Sequence, residues 1–150
     1  MRETLIEITS IFPAPAGKVW RLLGKIQTLQ AVARPYAYFT PLEDCGSWHE
    51  GGVYNMKLRL FSMIPMGVHT IRVIRWDEAS YSILTHEGNR FVPLRNHEIS
   101  LVPMGDVCRY TDRVTIGAGW RTPFVRLWSL AFYRHRQRKW RKILKGGGQK

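Results

Sequence analysis

Between residues 53 and 61 the chain alternates. Tyr54, Met56, Leu58 and Leu60 are apolar, and Asn55, Lys57 and Arg59 between them are polar. A period of two predicts a strand with one buried face. Residues 3–12 are rich in β-branched and apolar types and predict another strand, which Pro13 and Pro15 end. Pro15 then suits the first turn of a helix, where its missing N–H has no intrahelical partner. Val19, Trp20, Leu22 and Leu23 give that helix an apolar face, Gly24 breaks it, and Ile26, Leu29, Ala31 and Val32 predict a second short helix before Pro35.

From residue 36 to 117 the pattern is short strands separated by turn signals. Strands are predicted over 36–40, 68–76, 80–86, 91–102 and 107–116, with turns at Pro65–Gly67, Asp77–Ala79, Gly88-Asn89 and Pro103–Asp106. Glu43–Gly52 reads as a loop, part of which can pair. Short connections between successive strands imply an antiparallel meander. Gly117 and Gly119 close this region, and 121–145 is the longest helical candidate. With about 100° per residue and Trp128 at zero, Phe124, Val125, Ala131, Phe132, His135 and Ile143 fall within about 60° of it, a single apolar stripe. Trp140 lies about 120° away among Arg and Lys, a position suited to a membrane interface.

The predicted fold is α+β. A curved antiparallel sheet of seven strands, with two short helices after the first, wraps a long C-terminal helix that covers its concave face. Residues 1–145 form one domain and 146–150 a flexible tail. The order of elements resembles the START/Bet v-like (SRPBCC) superfamily, with its helix-grip fold. The residues that carry the resemblance begin with Ile8-Thr-Ser-Ile-Phe-Pro-Ala-Pro-Ala-Gly-Lys-Val-Trp-Arg-Leu-Leu, a strand running through prolines into a helix. Glu50-Gly-Gly-Val-Tyr entering a strand, Thr111-Asp-Arg-Val-Thr-Ile in the last strand, and Phe132-Tyr-Arg-His-Arg-Gln-Arg-Lys-Trp in the long helix complete it. The match spans nearly the whole chain. It implies a deep apolar cavity between sheet and helix that holds a lipid, a polyketide-like or another hydrophobic small molecule. Some members of the superfamily are cyclases, so the fold does not fix the function.

Charge changes the picture at one end. Of 23 Lys and Arg, 11 lie in residues 113–150, where there is no acidic residue; all 11 Asp and Glu precede residue 113. The segment Arg134–Lys145 is a concentrated cation that can meet an anionic membrane surface, or serve as a solvated helix end favoured by the macrodipole. Nucleic acid is disfavoured, because no aromatic stacking platform is evident in the basic segment. No apolar run approaches a bilayer span, and the first residues carry no apolar signal-peptide core, so a cytoplasmic protein is expected. Cys45 and Cys108 are too few for a disulfide framework.

Strand parity nominates the cavity residues. His69 shares a face with Ile71 and Val73; His97 with Ile99 and Leu101; Tyr110 and Asp112 with Val114 and Ile116. His135 sits near the middle of the helix stripe. Tyr54, Met56 and Leu58 line the sheet side, and Phe124 and Trp128 the helix side. Such polar groups in an apolar space orient a ligand or transfer protons, and a histidine beside Asp112 is held in one tautomer. Asp112 could equally pair with an arginine. The pairs His86-Glu87 and His97-Glu98 cannot act as dyads, because neighbours on a strand face opposite ways. No metalloprotease, serine-hydrolase or phosphate-loop motif is present, and no metal or cofactor is expected. The leading expectation is binding or transport of a hydrophobic small molecule by a monomer or homodimer. The alternatives are an aromatase/cyclase-type enzyme using the cavity His, Asp and Tyr, and a peripheral lipid carrier docking through Arg134–Lys145.

Overall fold

The computed structural model describes residues 3–43, 48–92 and 94–146. Cys45 and the last four residues of the expected tail lie outside them. Strand β1 (Glu3–Phe12) leads through Pro15, the N-cap, into α1 (Ala16–Leu23); Gly24 caps that helix, and α2 (Ile26–Ala33) follows. Six strands come next: β2 (Ala37–Pro41), β3 (Val53–Leu60), β4 (Ile64–Asp77), β5 (Ser82–Gly88), β6 (Leu94–Met104) and β7 (Val107–Gly117). A short 3-10 turn, Gly119–Arg121, starts the long helix α3 (Thr122–Gly146).

The seven strands form one antiparallel sheet in the order β1-β7-β6-β5-β4-β3-β2. The first strand therefore closes on the last, and the remainder is a meander. Bulges between Lys57 and Arg59 and between Val73 and Arg75 sharpen the bend of the sheet. One expected turn moves. Pro65 and Gly67 lie inside β4, and the reversal falls at Phe61–Met63, where Phe61 and Ser62 adopt positive φ. Gly52 is required by close approach: a Cβ there would collide with the Tyr54 ring, whose hydroxyl accepts the His49 amide at 3.0 Å.

Two apolar clusters fill the space beneath α3. One joins Ile6, Met56, Ile71, Val114, Phe132 and Tyr133; the other joins Phe12, Val19, Trp20, Leu101, Tyr110, Trp140 and Leu144. On the sheet's outer face Glu7, Arg113, Glu98 and Arg75 form a chain of ion pairs across the strands. These are exposed or half-exposed and contribute little to stability.

The buried face of α3 differs from the expected stripe. It consists of Thr122, Ser129, Phe132, Tyr133, Arg136, Gln137, Trp140 and Leu144, centred about 120° round the helix from Trp128. Half of these residues are polar, so a hydropathy stripe points away from them. Trp140 is consequently a core residue, fully buried and stacked 5.6 Å from the Phe12 ring, and does not sit at an interface. Within the basic segment Arg136 also turns inward, whereas Arg134 and Arg138 stay exposed.

Candidate functional site

Alternation on three neighbouring strands delivers polar side chains to the concave face. Thr85 and Glu87 come from β5, Arg95 and His97 from β6, and Tyr110 and Asp112 from β7. His69 joins them from β4; Tyr133, Arg136 and Gln137 face them from α3. Asp112 is the most heavily bonded of these. Its Oδ1 accepts from His97 Nε2 at 2.7 Å and from Tyr110 Oη at 3.1 Å, and its Oδ2 accepts from Gln137 Nε2 at 3.0 Å. Gln137 also donates to the Ile8 carbonyl at 2.8 Å and accepts from Ser10, which ties β1 to the helix.

Glu87 is the second anchor. Its carboxylate accepts from His69 Nε2 at 2.9 Å and from Thr85 Oγ1 at 2.6 Å, and lies 3.4 Å from Arg95 Nη2. Asn89 fixes the His69 tautomer. Its Oδ1 accepts the Phe91 and Val92 amides, so its amide nitrogen donates to His69 Nδ1 at 3.0 Å and leaves Nε2 to carry the proton. Arg95 also donates to the Tyr133 hydroxyl. His97 Nδ1 lies 3.8 Å from Glu87, so His97 stands between two carboxylates.

These bonds govern ionisation. Burial would raise the Glu87 carboxyl, but Arg95, the bond from His69 and the neighbouring His97 outweigh it and hold it well below its usual range. Burial would likewise raise Asp112, and the His97 bond and the charge of Arg136 hold it below normal. Burial pushes the Tyr133 hydroxyl up to about 12 against the opposing charge of Arg95. Burial, reinforced by Asp112, raises Tyr110 well above normal. The cluster thus holds two carboxylates, two guanidinium groups and two neutral phenols.

Two open spaces adjoin it. The inner one, of about 80 Å³, lies between the sheet, α2 and α3. Leu29, Val32, Ile71, Val73 and Ile83 make its apolar walls, and Glu87, Arg95, His97 and Arg136 make its polar ones. The outer one, of about 410 Å³, opens between the start of α3 and the β2–β3 side of the sheet. It is lined by Leu58, Leu60, Val92, Phe124, Trp128 and Phe132 among others. Phe39 and Arg95 line both spaces.

The structure places the residues nominated from sequence in four settings. His69, His97, Tyr110 and Asp112 join one buried network, and His97 also lines the inner space. Tyr110 stacks 4.5 Å from Phe12, and Tyr54 and Met56 are packed into the core. Leu58, Phe124 and Trp128 line the outer cleft, although Phe124 is 68% exposed at its rim. His135 is not part of the network. Its Nε2 donates to the Arg34 carbonyl at 2.7 Å and its ring stacks on Tyr36, because it lies off the buried face of α3. Glu87, Arg95, Tyr133, Arg136 and Gln137 were missed. Parity alone places Glu87 beside Ile83 and Arg95 beside His97 and Ile99, and was the signal available for them. Among the described residues, no group of three or more His, Cys, Asp or Glu is arranged to hold a metal ion. No helix among them is long and apolar enough to cross a membrane.

A seven-stranded curved sheet gripping a C-terminal helix, with a helix pair after the first strand, defines a helix-grip protein. The chain has the fold of the START/Bet v-like (SRPBCC) superfamily. It is similar in structure to a START superfamily protein from Mycobacterium smegmatis, with a TM-score of 0.73 at 13% identity, covering 95% of this chain and 97% of that one. It is similar to the Zhui aromatase/cyclase from a Streptomyces species, with a TM-score of 0.67 at 15% identity, covering 99% and 94%. It also resembles norcoclaurine synthase of Thalictrum flavum bound to dopamine and hydroxybenzaldehyde, with a TM-score of 0.67 at 14% identity, covering 97% and 88%. No protein-family model matches the chain, and no curated protein matches it in sequence.

Proposed function

We propose that this protein binds a hydrophobic small molecule in the space between the sheet and α3, with the apolar body in the outer cleft and a polar group reaching the inner cavity. The observation that carries this reading is the outer cleft itself. Its volume of about 410 Å³ is in the range of small-molecule sites, its walls are apolar, and it shares Arg95 with a cavity of buried charges. The structural neighbours named for cyclase and synthase activity, one of them with aromatic molecules bound, support it.

The binding reading is favoured over an aromatase/cyclase-type activity by the engaged histidines. Both nitrogens of His69 are hydrogen-bonded, and both nitrogens of His97 face carboxylates. His69 has no free nitrogen, and the second nitrogen of His97 faces Glu87 at 3.8 Å and not the apolar cleft. Native mass spectrometry of the protein purified from cells tests the proposal. An additional mass that is extractable into organic solvent is expected. Bare protein that also fails to take up any apolar probe would contradict it.

Membrane contact is a second reading, and one observation favours it at the cleft rim as well as at Arg134–Lys145. Trp120 is 76%, Phe124 68% and Leu127 65% exposed, beside Arg121 and Arg126 in a segment that has no acid. Aromatic tips flanked by cations suit an anionic lipid surface.

A further inference from the structure

Arg136 is a buried cation without a fixed partner. It is 5% exposed, yet among the described residues no carboxylate lies within ion-pairing distance of it and no hydrogen bond reaches its guanidinium. Its close neighbours are ring faces, with the guanidinium carbon 5.9 Å from the centre of Phe132 and 5.4 Å from that of Tyr133. Arg95 approaches the same Tyr133 ring at 5.5 Å. The Nε atoms of both arginines are buried and unsatisfied. A guanidinium cannot shed its proton to escape such a place, and burying it unpaired is strongly unfavourable.

The nearby anions are already committed. Asp112 serves His97, Tyr110 and Gln137, and Glu87 serves His69, Thr85 and Arg95. They offset the two arginines in number, but neither comes within ion-pairing distance of Arg136. Both guanidinium groups line the inner cavity, which is small, and Arg95 also borders the apolar cleft. A planar, two-oxygen anion matches the guanidinium fork and fits a small space.

We propose that the ligand is an organic carboxylate, its oxygens held by Arg136 and Arg95 in the inner cavity and its hydrocarbon body extending into the outer cleft. This rests on the binding function proposed above and specifies the head group.

The test compares dodecanoate with methyl dodecanoate by tryptophan fluorescence titration and native mass spectrometry, using the full chain and its Arg136→Met variant. The wild type is expected to bind the acid at least about tenfold more tightly than the ester, since hydrogen bonds to a buried charge are strong. In Arg136→Met that preference should fall at least about threefold, Arg95 remaining in the cavity, while ester binding changes less. Equal binding of acid and ester by the wild type would overturn the carboxylate assignment and leave apolar binding intact. A preference undiminished in the variant would also overturn the assignment. Failure of both compounds to bind would count against the binding function itself. The wild-type comparison needs no variant, so a poorly folding Arg136→Met leaves the proposal open to refutation.

Discussion

His97 and Asp112 meet diagonally across β6 and β7, with Nε2 and Oδ1 2.7 Å apart and both side chains almost wholly buried. Each has a second role. His97 turns its other nitrogen toward Glu87, and Asp112 receives α3 through Gln137. The pair therefore couples the sheet to the helix that covers it.

Removing the carboxylate should expose that role. Asp112→Ala leaves the His97, Tyr110 and Gln137 donors without an acceptor in a buried site. A loss of about 3–5 kcal/mol in urea unfolding is expected. A loss below about 1 kcal/mol would mean that the network is dispensable to the fold.

The carboxylates also set an acid limb. Glu87 and Asp112 are held below their ordinary values in the folded state, so their contribution is fully present above the unfolded values near 4 and is lost as pH falls below them. The urea midpoint should hold steady down to about pH 5 and fall steeply below about pH 4. Glu87→Gln should lower the midpoint at neutral pH and make the acidic fall shallower. An unchanged acidic slope in that variant would show that Glu87 is not held low.

The two tryptophans of α3 should separate stability from binding. Trp140 is fully buried against the Phe12 and Tyr110 rings, and Trp140→Ala should cost about 3–5 kcal/mol. Trp128 is half-buried, stacks 4.8 Å from Phe132 and lines the cleft. Trp128→Ala should cost less, about 1–2 kcal/mol, while weakening the uptake of an apolar probe severalfold. The reverse ranking in thermal unfolding would contradict the placement of the buried face.

The exposed rim gives a separable expectation. Flotation with vesicles containing phosphatidylserine should carry the protein at low salt and release it at high salt. A Trp120→Ser, Phe124→Ser double variant should float less if the rim inserts. Lys142→Ser with Lys145→Ser should float less if the C-terminal end of the helix makes the contact. No flotation at low salt would remove membrane docking from consideration.

The order of elements was legible because prolines, glycines and period-two alternation mark it locally. Pro15 and Gly24 bracket α1, and Tyr54, Met56 and Leu58 face one way. Parity likewise put His69, His97, Tyr110 and Asp112 on the concave side. The face of α3 was not legible, because four of its eight buried residues are polar. Arg136 and Gln137 go inside only because β1 and β7 and the cavity receive them, and those partners are distant in sequence. Trp128 and Phe124 drew the expected stripe toward the cleft for the complementary reason: they are apolar where the helix borders open space. His135 followed that stripe and was misplaced with it. Pro65 and Gly67 read as a turn but sit in an outer stretch of β4 beyond the bulge, where the strand tolerates them.

The most direct test of the account is the site of an apolar ligand in the complex. Nuclear Overhauser contacts between methyl dodecanoate and the protein should reach the Trp128 indole, Phe132, Val92 and the Ile71 and Val73 methyls, with saturation at one ligand per chain. Contacts confined to exposed positions such as Leu5, Ile11 and Val102, or binding that never saturates, would contradict a ligand space enclosed by the sheet and α3.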